Sequence, residues 1–172
     1  EPGKRVNESA PLNPYNVLYA AKAALYFLGS ALASACGMRF IWLRIFFMYG
    51  PGQRSQSLIP YLVDCFRRGK KATFRTPRGG NDFIYVEDVA RAITMIVRKR
   101  NLGMNEIYNV GSGCLTGVAE ISAIVSRCMG RKAQSIKPSK PRGFWADISK
   151  IKREIGWKPS VSLREGIVKT IE

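Results

Sequence analysis

The sequence predicts an α/β fold with a mainly parallel sheet, on three observations. Short runs rich in β-branched and aromatic residues alternate with longer helical stretches. The longest such run, "MRFIWLRIFFMYG" (38–50), is almost continuously apolar, as a strand covered on both faces is. Glycine- or proline-marked turns separate the elements. The 172 residues make one domain's length, and 46% are apolar, enough to bury a core.

The elements follow in order. Residues 1–12 are polar and read as a loop. A helix is predicted from Val17 to Ser34, with Pro14 at its entry and Asn13 or Asn16 as its cap. Leu18, Ala21, Leu25, Leu28 and Leu32 recur at spacings of three and four, so this stripe is expected to be buried. Residues 38–50 read as one buried strand, ended by the turn "YGPGQ". "SLIPYLVDCFRRGK" is a helix stopped at Gly69. "KATFRT" (71–76) reads as a short strand, "PRGGN" as a turn and "DFIYV" as a strand. Val86 to Arg100 is helical, with Glu87 and Asp88 at its start and Arg98, Lys99 and Arg100 at its end, an order that complements the helix dipole. "EIYNV" is a further strand, followed by "GSGCLTG" and the helix "VAEISAIVSRCMG". "AQSIKP" (133–138) is a candidate strand. "DISKIKREIG" and "SLREGIVKTI" are two closing helices.

The net charge is +16, and it grows along the chain: +3 over residues 1–50, +5 over 51–126 and +8 over 127–172. Anionic partners are expected, whether nucleic acid, an acidic surface or a phosphorylated small molecule. There is no histidine. That excludes a Ser-His-Asp triad, a Cys-His dyad and zinc sites built on histidine. Cys36, Cys65, Cys114 and Cys128 are scattered without a CxxC, and read as thiols of a reducing compartment. The uncharged stretch from Ala23 to Met38 is broken by glycine and serine and is shorter than the ~20 apolar residues of a membrane span. A soluble, cytoplasmic protein with no membrane partner is the expectation.

Two places compete for the chemistry. On the first helix Tyr15, Tyr19, Lys22 and Tyr26 lie off the leucine stripe and share one face. The bland reading is a snorkelling lysine among tyrosines. The sharper one is a phenol beside an ammonium: tyrosine ordinarily titrates near ~10, and a close cation favours the phenolate. The second place is "GSGCLTG" (111–117), a GxGxxxG after a strand and before a helix, the setting of a dinucleotide loop. The acidic residue expected about twenty positions on is replaced by Arg131 and Lys132, which suit a 2′-phosphate. The bland reading is a tight turn.

Five segments then carry a resemblance: "PLNPYNVLYAAKAAL", "LRIFFMYGPGQ", "DFIYVEDVARAI", "EIYNVGSG" and "DISKIKREIGWKPSVSLREGI". In this order and at these distances they resemble the C-terminal half of the extended short-chain dehydrogenase/reductases, the NAD-dependent epimerase/dehydratase family acting on nucleotide sugars. The resemblance runs from about Pro11 to the end. It implies a Rossmann-like fold with a small substrate-binding α/β subdomain. Residues 11–50 would hold the active-site helix and its following strand. Residues 51–172 would be mainly the substrate subdomain, with 82–113 returning to the core sheet. It also implies NAD or NADP as cofactor and a nucleotide-diphosphate sugar as substrate. In such enzymes a Tyr-x-x-x-Lys pair on one helix takes a proton from a sugar hydroxyl while a hydride passes to the cofactor. Carried onto this chain, Tyr19 is the base and Lys22 its activator, both touching the cofactor. Phe46 and Phe47 lie beside the nicotinamide, and Arg78, Asn81 and Arg142 hold the substrate, the arginines at its diphosphate. "YNVGSG" belongs to a structural strand and turn in that family.

The departures are specific. Leu18, not tyrosine, stands four before Lys22, so the pair is Tyr19-x-x-Lys22. Tyr26 replaces a glutamate often found four after the lysine. Phe47 replaces the asparagine frequent before YGP, and Asn81 the arginine usual before "DFIYV". The family's opening βαβ unit with its GxxGxxG loop is absent from this sequence. The chain is therefore expected to be an incomplete or degenerate half-enzyme, inactive alone, binding the cofactor weakly, prone to self-association and partnered by an N-terminal Rossmann half. The competing expectation is a non-enzymatic basic module for RNA or another polyanion.

Overall fold

The computed structural model describes residues 3–132 and 140–172. Along them run β1 (Lys4–Val6), α1 (Val17–Ala35), β2 (Phe40–Ile45), β3 (Phe47–Tyr49), α2 (Leu58–Arg67), β4 (Gly80–Asn81) and β5 (Phe83–Tyr85). Then follow α3 (Val86–Arg98), β6 (Asn105–Val110), β7 (Thr116–Gly117), α4 (Val118–Cys128), β8 (Phe144–Ala146), α5 (Ser149–Ile155) and α6 (Leu163–Ile171). The candidate strand 133–138 lies outside the described residues.

The alternation gives an α/β fold, and its pairings are short. β2 runs parallel to β6, with Arg44 opposite Asn109 and Ile45 opposite Val110. At Phe46 the chain changes partner. The Phe46 N–H donates to the Val110 carbonyl and the Phe47 N–H to the Asp82 carbonyl, after which β3 runs parallel to β5. The run 38–50 is therefore two strands rather than one. Nor is it buried: β2 is mostly half-buried, and Phe47 and Met48 are exposed. Among the described residues β2 has a neighbour on one edge alone, so its other edge is uncovered.

Two further expectations are corrected. Residues 1–12 are not all loop, because β1 lies parallel to β8. No strand forms at 71–76. There the Thr73 amide donates to the Tyr61 hydroxyl, which in turn donates to the Thr73 carbonyl, so a side chain takes the groups a ladder would use.

β5 divides the core. Phe83 and Tyr85 pack with Tyr49, Ile59, Leu62, Phe66, Ile121 and Ile167, which α2, α4 and α6 bring in. Ile84, pointing the other way, packs with Val89, Ala92, Tyr108, Ile151 and Trp157.

Along α1 only Ala33 is buried, and the helix contributes no residue to either side of this core. Asn16 caps it, its Oδ1 accepting from the Tyr19 amide at 3.0 Å. It meets β2 through Tyr26, whose ring lies 5.5 Å from that of Trp42 and 6.2 Å from that of Phe40. A Cβ at Gly29 would stand 2.8 Å from the Phe40 ring, so glycine allows the approach. The leucine stripe therefore faces outward, against expectation: Leu18 is 62% exposed and Leu28 70%. The helix spans 19 residues with Lys22 its one charge, long and apolar enough by length and composition to cross a bilayer. The shorter window counted from the sequence stopped at that lysine.

Candidate active site

A cavity of about 520 Å³ opens off the carboxyl ends of β2 and β6, where open α/β sheets commonly hold ligands. α1 contributes Tyr19, Lys22 and Tyr26. The β2–β3 segment contributes Arg44, Phe46 and Phe47. Asn81, Asp82, Asn109 and Phe144 line the far side, and Ala10–Pro14 form a rim. Five of the seven residues singled out from the sequence, Tyr19, Lys22, Phe46, Phe47 and Asn81, thus share one cavity.

The local sequence explains why. The Asn16 cap fixes the start of α1 and with it the backbone at Tyr19. Tyr19 and Lys22, three apart, stay on one side of the helix with Tyr26, the side turned toward β2. The same rotation that aims them at the cavity turns Leu18 to solvent.

Tyr15 does not line the cavity and is 74% exposed, yet it touches the site. Its ring stacks on that of Tyr19, centroids 4.7 Å apart and planes at 30°. The four-residue spacing that the resemblance reserves for tyrosine and lysine is here filled by two tyrosines. The Tyr15 phenol is raised above its ordinary value. The largest cause is the adjoining Tyr19 side chain, followed by partial loss of water.

Arg78 and Arg142 come together elsewhere. The Arg142 N–H donates to the Arg78 carbonyl at 2.7 Å. Both line a second cavity of about 540 Å³ with Lys140 and Trp145. Phe144 faces the first cavity and its neighbour Trp145 the second, so the pleat of β8 separates them. Residues 78–82 connect the two, with Arg78 on one and Asn81 on the other.

The glycine-rich loop is closed. A phosphate there would need free backbone amides. The Ser112 and Gly113 amides already donate to the buried Asp82 carboxylate, as does the Ala146 amide from β8. Arg131 and Lys132 sit past the far end of α4. "GSGCLTG" is thus a turn clipped by Asp82.

Reading the sequence missed Arg44 and Asn109. They are register partners in the cavity wall, and Arg44 Nε and Asn109 Oδ1 are buried without a partner among the described residues. The signal was the alternation of β2, which puts Trp42, Arg44 and Phe46 on one side. Tyr15 was legible as the residue four before Tyr19.

The model of the NAD dependent epimerase/dehydratase family matches residues 1–111. An uncharacterized UDP-glucose epimerase of Bacillus subtilis is 30% identical over 167 residues, covering 94% of this chain and 52% of the relative. The UDP-glucuronate 4-epimerase of Thermodesulfobacterium geofontis is 29% identical over 167 residues, covering 94% and 50%. Among solved structures, MoeE5 in complex with UDP-glucuronic acid and NAD matches with a TM-score of 0.81 at 26% identity, over 98% of this chain and 58% of that one. The UDP-glucose 4-epimerase of Thermotoga maritima with UDP-glucose matches with a TM-score of 0.81 at 26% identity, over 96% and 55%. The chain spans about half the length of the curated relatives it matches.

Proposed function

The chain belongs to the NAD dependent epimerase/dehydratase family, and from that premise we propose that it forms the substrate-binding and catalytic half of an enzyme acting on a nucleotide-diphosphate sugar. The observation that carries this reading is the shared cavity of Tyr19 and Lys22 at the strand ends. Tyr19 accepts the proton of a sugar hydroxyl through its phenol oxygen, with the Lys22 ammonium lining the same cavity. Phe46 and Phe47 form an apolar wall that keeps water from the reacting carbon, and Asn81 offers an amide to the sugar. Arg78 and Arg142, with Lys140, hold the diphosphate.

NAD supplies the hydride acceptor when bound. The described residues fit its nicotinamide end, through Tyr19, Lys22, Phe46 and Phe47. The loop at 111–117 does not fit its pyrophosphate, since Asp82 occupies the amides of Ser112 and Gly113. Weak cofactor binding to this chain alone belongs to the same reading. The uncovered edge of β2 takes a strand from an N-terminal Rossmann half, and the outward leucines of α1 drive self-association.

The test supplies the chain with the N-terminal half of a relative, NAD and UDP-sugars, and follows sugar products by NMR. Stereochemical inversion or loss of water supports the reading. No turnover, with tight RNA binding that weakens steeply with salt, favours the polyanion module instead.

A further inference from the structure

We propose that Arg44 and Asn109 form a specificity subsite for one hydroxyl of the substrate sugar, which accepts from Arg44 Nε and donates to Asn109 Oδ1. The inference rests on the reading of this cavity as the sugar site, and it concerns a different hydroxyl from the one Tyr19 deprotonates.

The two side chains rise from facing positions of the β2–β6 ladder, and both line the cavity. Asn109 is fully buried and Arg44 half-buried. Their other groups are committed. Arg44 Nη1 donates to the Ala10 carbonyl at 3.1 Å. Asn109 Nδ2 donates to the Val6 carbonyl at 2.9 Å and to the Asp147 carbonyl at 3.3 Å. Those two carbonyls fix the orientation of the amide, because a flipped amide would set oxygen against oxygen. Oδ1 is therefore an acceptor, and Nε can only donate. Among the described residues four buried side-chain polar atoms lack a partner, and these are two of them. Such groups are costly to leave unmade. An orphan donor and an orphan acceptor from facing ladder positions are matched together by an atom that both accepts and donates, and a hydroxyl oxygen does both. A carboxylate or phosphate oxygen would meet Oδ1 acceptor to acceptor, and an ammonium would meet Nε donor to donor. Asp82, which also lines the cavity, is committed to the amides of 112, 113 and 146. Tyr19 and Lys22 reach the cavity from α1 and this pair from the sheet, so the two walls grip different positions of the sugar.

The probes are UDP-glucose and the analogues that each lack one glucose hydroxyl. Dissociation constants are measured on the chain itself, and kcat/KM on the reconstituted enzyme. One analogue is expected to bind about 10²-fold more weakly than UDP-glucose, because it leaves both buried groups unpaired. Arg44→Lys keeps a donor for the Ala10 carbonyl but has no Nε. In that variant the same analogue and UDP-glucose are expected to bind alike, while the other analogues keep their wild-type ranking. A uniform loss across the whole series in Arg44→Lys overturns the proposal and leaves Arg44 a strap on the cavity rim. A wild-type series in which no analogue is discriminated overturns it even where the variant fails to fold, and assigns the pair to a fixed water. Binding needs no proton transfer, so a chain that discriminates one analogue yet turns over no sugar keeps the subsite and overturns the catalytic reading. UDP-glucose that does not bind overturns both.

Discussion

Asp82 and Ser112 are joined by two hydrogen bonds to a single carboxylate oxygen, from the Ser112 amide at 2.5 Å and from its hydroxyl at 2.6 Å. The other oxygen accepts the amides of Gly113 and Ala146, each at 3.0 Å. One buried side chain thus ties the turn after β6 to β8 and lines the cavity that holds Tyr19 and Lys22. Gly111 leaves room for it: a Cβ there would meet the Asp82 carboxylate at 2.6 Å and the Ala146 side chain at 2.7 Å.

Asp82→Asn keeps the shape but turns one oxygen into a donor facing donors. Leaving such buried groups unmatched costs about 3 kcal/mol. Thermal unfolding is expected to fall by roughly 10 °C for a domain this size. A variant that melts with the wild type would show that the clip is dispensable.

Acid sensitivity should trace to Asp88. Burial alone would raise its carboxyl, but the amides of Val161 and Ser160, the Ser160 hydroxyl and Arg91 hold it below the usual aspartate range. A folded value below the unfolded one, near ~3.9, gives stability that is present above that pH and lost as pH falls through the folded value. Asp88→Asn is expected to lower stability at pH 7 and to flatten the loss below about pH 4. Denaturant midpoints measured from pH 7 to pH 2.5 decide it. An unchanged acid slope would assign the sensitivity elsewhere.

The outward leucines should govern association. Leu25 and Leu28 are exposed on α1, so Leu25→Gln with Leu28→Gln removes apolar surface without opening a cavity. The chain is expected to self-associate at low salt, and the double variant to become monomeric with stability within about 1 kcal/mol of the wild type. Light scattering showing a monomeric wild type over a wide concentration range contradicts this.

NAD should bind this chain weakly. Isothermal titration is expected to give a dissociation constant well above the micromolar range. Micromolar affinity would require the amides of Ser112 and Gly113 to leave Asp82 for a pyrophosphate, and would return the glycine loop to the cofactor.

Much of this was legible in the sequence, and the rest was hidden for physical reasons. The helices α2 to α4 lie where the sequence places them, and α3 carries acidic residues in its first turn and a basic one in its last, as read. α1 misled because its leucine spacing is that of a buried stripe. What seats it is a less apolar face, where Tyr26 and Gly29 meet the rings of Phe40 and Trp42. The break at Phe46 was invisible because partner exchange leaves no mark in composition. β1 and β8 were missed because three-residue strands draw their stability from each other across the whole chain. Tyr19, Lys22, Phe46, Phe47 and Asn81 came together as a site because the resemblance gave them one. Arg78 and Arg142 found each other but face the opposite side of β8, a separation that needs the pleat to be seen.

The most direct measurement compares two tyrosines, one leucine and one lysine in the reconstituted enzyme. Tyr19→Phe is expected to lower kcat by ~10²-fold or more with KM unchanged, the scale of a lost general base. Tyr26→Phe should cost far less. Leu18→Tyr should add nothing, because Leu18 lies outside the cavity and faces solvent. Lys22→Met should also lower kcat, since Lys22 lines the same cavity as Tyr19. Full turnover in Tyr19→Phe, or activity gained in Leu18→Tyr, would contradict the assignment of Tyr19 and Lys22 and leave Lys22 a surface lysine among tyrosines.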